Sequence, residues 1–169
     1  FHENIEKRFL ETGSPKALTC IHALGIGDRE NRGMNRFAHK GMVRRVIGGH
    51  WVWSTKMQQL ARENDIEAYV LPGGVIMQLM REVAANRPGL ITHVGLGTFV
   101  DPQQDGGRMN EAAVDQLVER ITIDGRDYLR YLPIPIDVAI LKGSCADEEG
   151  NISLDEEPAN LDIYAMAAA

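Results

Sequence analysis

The chain has 169 residues, of which 44% are apolar and 25% charged, the make-up of a globular protein of about one domain. A formal charge of −6 argues against nucleic acid or an anionic membrane as the main partner, and no apolar run approaches the roughly 18–20 residues that span a bilayer. Cys20 and Cys145 stand in unrelated contexts without CxxC or CxxH spacing, so neither a disulfide framework nor a zinc site is indicated, and buried thiols in a reducing cytoplasm are expected.

Residues 2–11 (HENIEKRFLE) place apolar side chains at 5, 9 and 10, a helical spacing, with Gly13 as the stop. ALTCIHAL (17–24) reads as a buried strand, 25–33 as a polar loop bounded by glycines, and 35–40 as a short helix. MVRRVIGG (42–49) is a strand ending in paired glycines. Ser54 or Thr55 caps a helix over 54–66 with Met57, Leu60 and Ala61 on one face. EAYVLPGG (67–74) predicts a strand followed by a glycine loop, 75–89 a helix with a Pro-Gly stop, and 90–94 a fourth strand in the same sheet. Strand, glycine turn and helix in repeated alternation is the pattern of a parallel sheet with helices on its faces. Beyond Gly107 the style changes: two β-type runs flank Asp124-Gly125, a strong hairpin signal, and IDVAILKG (136–143) predicts one more buried strand. SCADEEGN (144–151) is a polar turn, and 158–169 a helix. The expected fold class is therefore α/β, an open, mainly parallel sheet with flanking helices plus an antiparallel hairpin.

Open α/β sheets bind ligands outside the carboxyl ends of their strands. Glycines cluster there: 48–49, 73–74, and 95 and 97 in ITHVGLGTFVDPQQDGG (91–107). Without a Cβ the backbone can approach a ligand closely and take positive φ. Each pair alone reads equally as a strand-to-helix turn; the three together, one followed by His50-Trp51-Val52-Trp53, predict a cleft.

The familiar site signatures are missing. Gly95-Leu96-Gly97 lacks the third glycine of GxGxxG, there is no GxxxxGK[ST], HExxH or GxSxG, and the five histidines show no metal-ligand spacing. No metal site is expected. DEEGN (147–151) lacks the alternating ligands of a calcium loop. His50 beside two tryptophans is either a pocket residue or a packed surface one.

The order IGGHW (47–51), AYVLPGG (68–74), ITHVGLGTFVDP (91–102), GGRMN (106–110) and CADEEGNISLDEE (145–157) resembles the family I CoA-transferases, most nearly the fused single-chain acetate and propionate type. The resemblance implies that residues 1–169 are part of the amino-terminal, α-like domain of a longer enzyme, the first strand and the whole carboxy-terminal half lying outside. It implies transfer of coenzyme A from an acyl-CoA to a free carboxylic acid through a glutamyl-CoA thioester. Coenzyme A is then a substrate, and no other cofactor is called for. The catalytic glutamate belongs to the carboxy-terminal half, so no catalytic residue is expected in this chain. The remaining partners are that half of the same enzyme and further copies of it, in the cytoplasm.

By the same resemblance Gly95, Gly97, Thr98 and Phe99 close over the acyl end of the substrate, with Gly73 and Gly74 beside them; His50, from its place beside the tryptophans, is the further candidate substrate-binding residue. Backbone N–H groups freed at these glycines would face a developing oxyanion. Relatives often carry Pro-Gln-Gly where this chain has Pro72-Gly73-Gly74, so acceptor choice does not transfer. An α/β effector-binding module without catalysis is the alternative, and a nicotinamide-dependent oxidoreductase is weakened by the absent glycine.

Overall fold

The computed structural model describes residues 1–157, 165 and 167–169. Helix α1 (His2–Thr12) ends at Gly13, whose φ of 70° lets its N–H return to the Phe9 carbonyl. Strands β1 (Leu18–His22), β2 (Val43–Gly48) and β3 (Glu67–Val70) form a parallel sheet in the order β1-β2-β3. A 3-10 turn (Met34–Phe37) and α2 (Thr55–Arg62) connect them, and α3 (Gly73–Ala84) follows β3.

Strand alternation sends successive side chains to opposite faces. Val46 and Ala68 enter one core with Met57, Leu60 and Ala61 of α2 and with Met34 and Phe37. Ile47 and Tyr69 enter the other, against Val75, Ile76, Leu79 and Met80 of α3. Burial of each such side chain contributes about 1.5–3 kcal/mol, so α3 is fixed by its apolar face. Asn110 ties the end of α2 to β3: its amide donates to the Ala61 and Ile66 carbonyls, and its oxygen accepts the Ala68 N–H.

The α/β class holds, with two differences in the strands. The 90–94 segment does not extend the parallel sheet. Its strand β4 (Leu90–Thr92) pairs antiparallel with β6 (Arg126–Tyr131), which pairs in turn with β5 (Val118–Ile123), in the order β4-β6-β5. The far edge of β3 is instead taken by the chain near Arg108, which bridges Tyr69 in antiparallel sense. The expected Asp124-Gly125 hairpin is present, with φ of 49° and 75° at its two turn residues.

Residues 136–143 form no strand. Ile136 packs against the core, but Val138 is 72% and Ile140 54% exposed, so these two side chains find no cover among the described residues. After it come β7 (Cys145–Ala146) and β8 (Ile152–Ser153), a two-stranded ladder around a turn in which Asp147 accepts the Asn151 N–H. Most of the helix expected over 158–169 lies outside the described residues.

Candidate functional site

At the end of β3 the chain turns directly into a helix. Pro72 is the N-cap of α3, its carbonyl accepting the N–H groups of Val75 and Ile76, so Gly73 and Gly74 are the first residues of that helix rather than a loop. Pro fits here because it has no N–H to lose and its φ is already near the value required. The two glycines face different surroundings. A Cβ on Gly73 would stand 2.9 Å from the Ala23 carbonyl oxygen, and one on Gly49 would lie 2.9 Å from the Gly73 Cα and clash with that same carbonyl. Gly74 is exposed, with nothing within 4 Å of its Cβ position. The start of α3 thus packs backbone to backbone on the ends of β1 and β2, and only Gly74 leaves open space.

His50 belongs to a different group at the same end of the sheet. Its ring lies 6.3 Å from that of Trp53, both against Gly25, and Arg29 covers the Trp53 face at 4.5 Å. Behind them His22 is buried, its Nδ1–H donating to the Leu24 carbonyl at 2.7 Å. Burial lowers its pKa, the bond to Leu24 raises it and the charge of His50 lowers it further, the net direction being downward. His22 therefore stays neutral near pH 7.

The third glycine cluster lies on the antiparallel sheet. Tyr131 of β6 donates its hydroxyl to the Val94 carbonyl at 2.9 Å, just before the glycines. Burial, with the charge of Asp101, pushes the Tyr131 phenol up to about 12. Gly95 has φ of 100°, and its missing Cβ points inward: it would clash with Val100 and reach 2.5 Å from the Tyr131 hydroxyl. Gly95 is a packing requirement of the core. Gly97, at φ 71°, has open space where a Cβ would be, and it is exposed with Thr98 and Phe99, the latter at 50%.

The amides in this loop are not free as expected. The Gly97 N–H donates to the Asp101 carboxylate at 2.8 Å, and the Thr98 N–H donates to the Gly95 carbonyl at 3.0 Å, which also accepts the Thr98 hydroxyl at 2.8 Å. Neither amide can serve an oxyanion without breaking a bond already made.

Asp101, which is not among the site residues expected from the sequence, is fully buried. The oxygen that accepts the Gly97 N–H also accepts Arg120 of β5 at 2.9 Å, and the other oxygen accepts the Gln103 N–H at 3.0 Å. Burial alone would raise this carboxyl; the two amides and the guanidinium outweigh it, and its pKa falls below the ordinary aspartate value. The signal available in the sequence was an acidic residue closing the apolar run Leu96–Val100, where a charge needs a partner.

The loop reaches the parallel sheet through its backbone. Gly107 donates its N–H to the Phe99 carbonyl at 3.0 Å and accepts the Val70 N–H at 2.8 Å. Phe99 thus sits one hydrogen-bonded step from the end of β3, which continues through Leu71 and Pro72 into Gly73-Gly74. The structure brings Gly49, Gly73 and Gly74 together and joins Phe99 to β3, while His50 stands with Trp53.

A family model described as coenzyme A transferase matches residues 8–169. The chain belongs to the coenzyme A transferase family. It is 44% identical over 166 residues to caffeate CoA-transferase of Acetobacterium woodii, covering 98% of this chain and 32% of that protein. To acetate CoA-transferase YdiF of Escherichia coli it is 38% identical over 162 residues, 96% of this chain and 30% of the relative. A crystal structure of the Escherichia coli acyl-CoA transferase YdiF, in a thioester complex with CoA, superposes with a TM-score of 0.94 at 35% identity, covering 99% of this chain and 33% of that one. The chain therefore spans about a third of the length of these relatives.

Proposed function

We propose that these residues are part of the α-like domain of an enzyme that moves coenzyme A between an acyl-CoA and a free carboxylic acid. The observation that carries this reading is the near-complete alignment of the chain with two CoA-transferases, at 38% and 44% identity. A glutamate outside residues 1–169 attacks the thioester carbonyl carbon and expels CoA thiolate, leaving an acyl-glutamyl anhydride. The thiolate then attacks the glutamyl carbonyl, releasing the original acid and forming a glutamyl-CoA thioester. An incoming carboxylate reverses both steps. A covalent route divides one difficult exchange into easier ones.

In this reading the exposed edge Gly97-Thr98-Phe99 lies over the acyl end, and Gly74 leaves room at the start of α3; Gly73 and Gly95 support these surfaces from beneath. His50, with Trp53, flanks the site. The acceptor is an acid larger than acetate, because no side chain at Gly74 fills the open space there or offers an amide to a small carboxylate. Coenzyme A is the substrate and no further cofactor takes part. The reading extends to a cytoplasmic enzyme in which this domain meets a carboxy-terminal half and further copies. No nucleic acid or membrane is among its partners, in keeping with a formal charge of −6. Among the described residues no helix is long and apolar enough to cross a membrane.

The test is to incubate the full-length enzyme with an acyl-CoA and no acceptor, then map modified peptides by mass spectrometry. The expected adduct is CoA joined to a glutamate with loss of water, on a peptide outside residues 1–169. An adduct within them, or none while transfer proceeds, would overturn this assignment of the nucleophile.

A further inference from the structure

We infer that Asp101 and Arg120 are positioning residues, which hold the 95–99 backbone in the one conformation that presents Gly97, Thr98 and Phe99 to the substrate. The inference rests on the reading of this loop as the acyl-facing wall.

Two glycines within three residues make a segment that would wander without a constraint, since glycine populates positive and negative φ alike. The constraint is ionic and buried. Asp101 has none of its surface exposed, and one of its oxygens binds the Gly97 N–H at 2.8 Å and Arg120 at 2.9 Å. Its backbone adds to the hold: the Asp101 N–H donates to the Thr98 carbonyl at 2.9 Å, and its own carbonyl accepts Gln104 and Gly106. Arg120 is itself oriented from both sides, donating to Gln103 at 2.8 Å and to Asp127 at 2.7 Å, while Asp127 accepts the Thr122 hydroxyl at 2.8 Å. The β5–β6 hairpin thereby transmits its rigidity to the loop.

Taking a carboxylate out of water is expensive, and a buried ion pair is poor value for stability alone, since apolar residues of similar volume often serve as well. What the pair provides here is direction: it fixes the αL amide of Gly97 inward and so turns the opposite edge of the peptide outward. A loop displaced by an ångström can cost roughly a hundredfold in rate without abolishing binding.

The test uses the full-length enzyme with Asp101→Asn and Arg120→Gln. Asparagine keeps the shape but sets an NH2 group either against both the Gly97 N–H and the guanidinium or against the Gln103 N–H. Arg120 is partly exposed and its replacement leaves the apolar core intact, so it remains informative if Asp101→Asn does not fold. Hydrogen exchange over residues 93–104 should show faster exchange of the Gly97 amide in both variants. The value of kcat should fall roughly tenfold to a hundredfold, with KM for the acyl-CoA little changed. Arg120→Lys, which restores the charge but not the fork to Gln103 and Asp127, should recover part of kcat. Unchanged exchange would refute the pinning. Faster exchange with unchanged kcat would refute its role in the reaction, as would a loss of activity that merely tracks the folded fraction. If the wild-type enzyme transferred CoA to no acid, the functional reading would fail, while the exchange result would still decide whether Asp101 holds the loop.

Discussion

The start of α3 and the 93–107 loop both place glycines where a strand gives way, yet they are held by different forces. At Gly73 the contact is backbone on backbone, with the Ala23 carbonyl leaving no room for a Cβ, and no carboxylate among the described residues takes part. In the loop, Gly95 rests on Val100 and Tyr131, but the turn beyond it depends on a buried aspartate and its guanidinium. Glycine spacing in a sequence therefore announces a close approach without saying what approaches. Of these five glycines Gly49, Gly73 and Gly95 meet the protein itself, and Gly74 and Gly97 border open space.

The sharpest way to break this distinction is to add a methyl group to each glycine of the loop. Gly95→Ala forces a Cβ onto Val100 and the Tyr131 hydroxyl at a φ of 100°. Overpacking and backbone strain together should destabilise the full-length protein by about 3 kcal/mol. Gly97→Ala meets no neighbour and should cost only the left-handed conformation, about 1–2 kcal/mol. Thermal or urea unfolding of both variants reads the difference. Equal losses would mean that the two glycines do the same work.

At the start of α3 the equivalent contrast is one of specificity. Gly74→Gln places a side chain into open space on a helix, where it should gain about 0.5–1 kcal/mol from helix propensity. Its amide would reach toward a bound carboxylate, and a hydrogen bond to a charged group is worth about 1.5–3 kcal/mol. The preference for acetate over hexanoate, measured as a ratio of kcat/KM, should therefore rise about tenfold. Gly73→Gln should instead lower stability, because its Cβ begins 2.9 Å from the Ala23 oxygen. Coincident acceptor profiles for Gly74→Gln and the wild type would remove the start of α3 from the acceptor pocket.

These contrasts also mark what could be read from the sequence. Strands β1 to β3, the helices between them and the hairpin at Asp124-Gly125 were legible because local spacing and turn chemistry dictate them. The apolar set Met57, Leu60 and Ala61 falls on the buried face of α2 as its spacing requires. The partner of β4 was not legible. A strand of three residues carries no mark of parallel or antiparallel pairing, and β6 lies more than thirty residues further on. Residues 136–143 have the composition of a core strand, but composition cannot supply the surface that would bury Val138 and Ile140. The role of Asp101 was hidden because its cation comes from Arg120, in a strand assigned only by its own pattern.

The smallest expected effect concerns pH, and it separates the two regions by the chemistry that holds them. Asp101 keeps a pKa below the ordinary aspartate value: burial raises it, but the Gly97 and Gln103 amides and Arg120 lower it by more. A carboxyl lowered in the folded state contributes stability above its unfolded pKa, and that contribution is lost as pH falls through the folded value. The loop should therefore stay protected from exchange across about pH 4–5, where ordinary carboxylates titrate, and open only below it. Arg120→Gln removes one of the lowering causes, so its loop should open at a higher pH than the wild type. Among the described residues no carboxylate hydrogen-bonds the start of α3, and exchange there should follow only the intrinsic pH dependence of the amides in both proteins. The measurement is hydrogen exchange over residues 72–78 and 93–104, from about pH 7 to about pH 3, corrected for intrinsic rates. If both segments lose protection together, the molecule unfolds as a whole and the loop has no separate acid sensitivity. If only the loop does, and earlier in Arg120→Gln, the charge on Asp101 is what holds it.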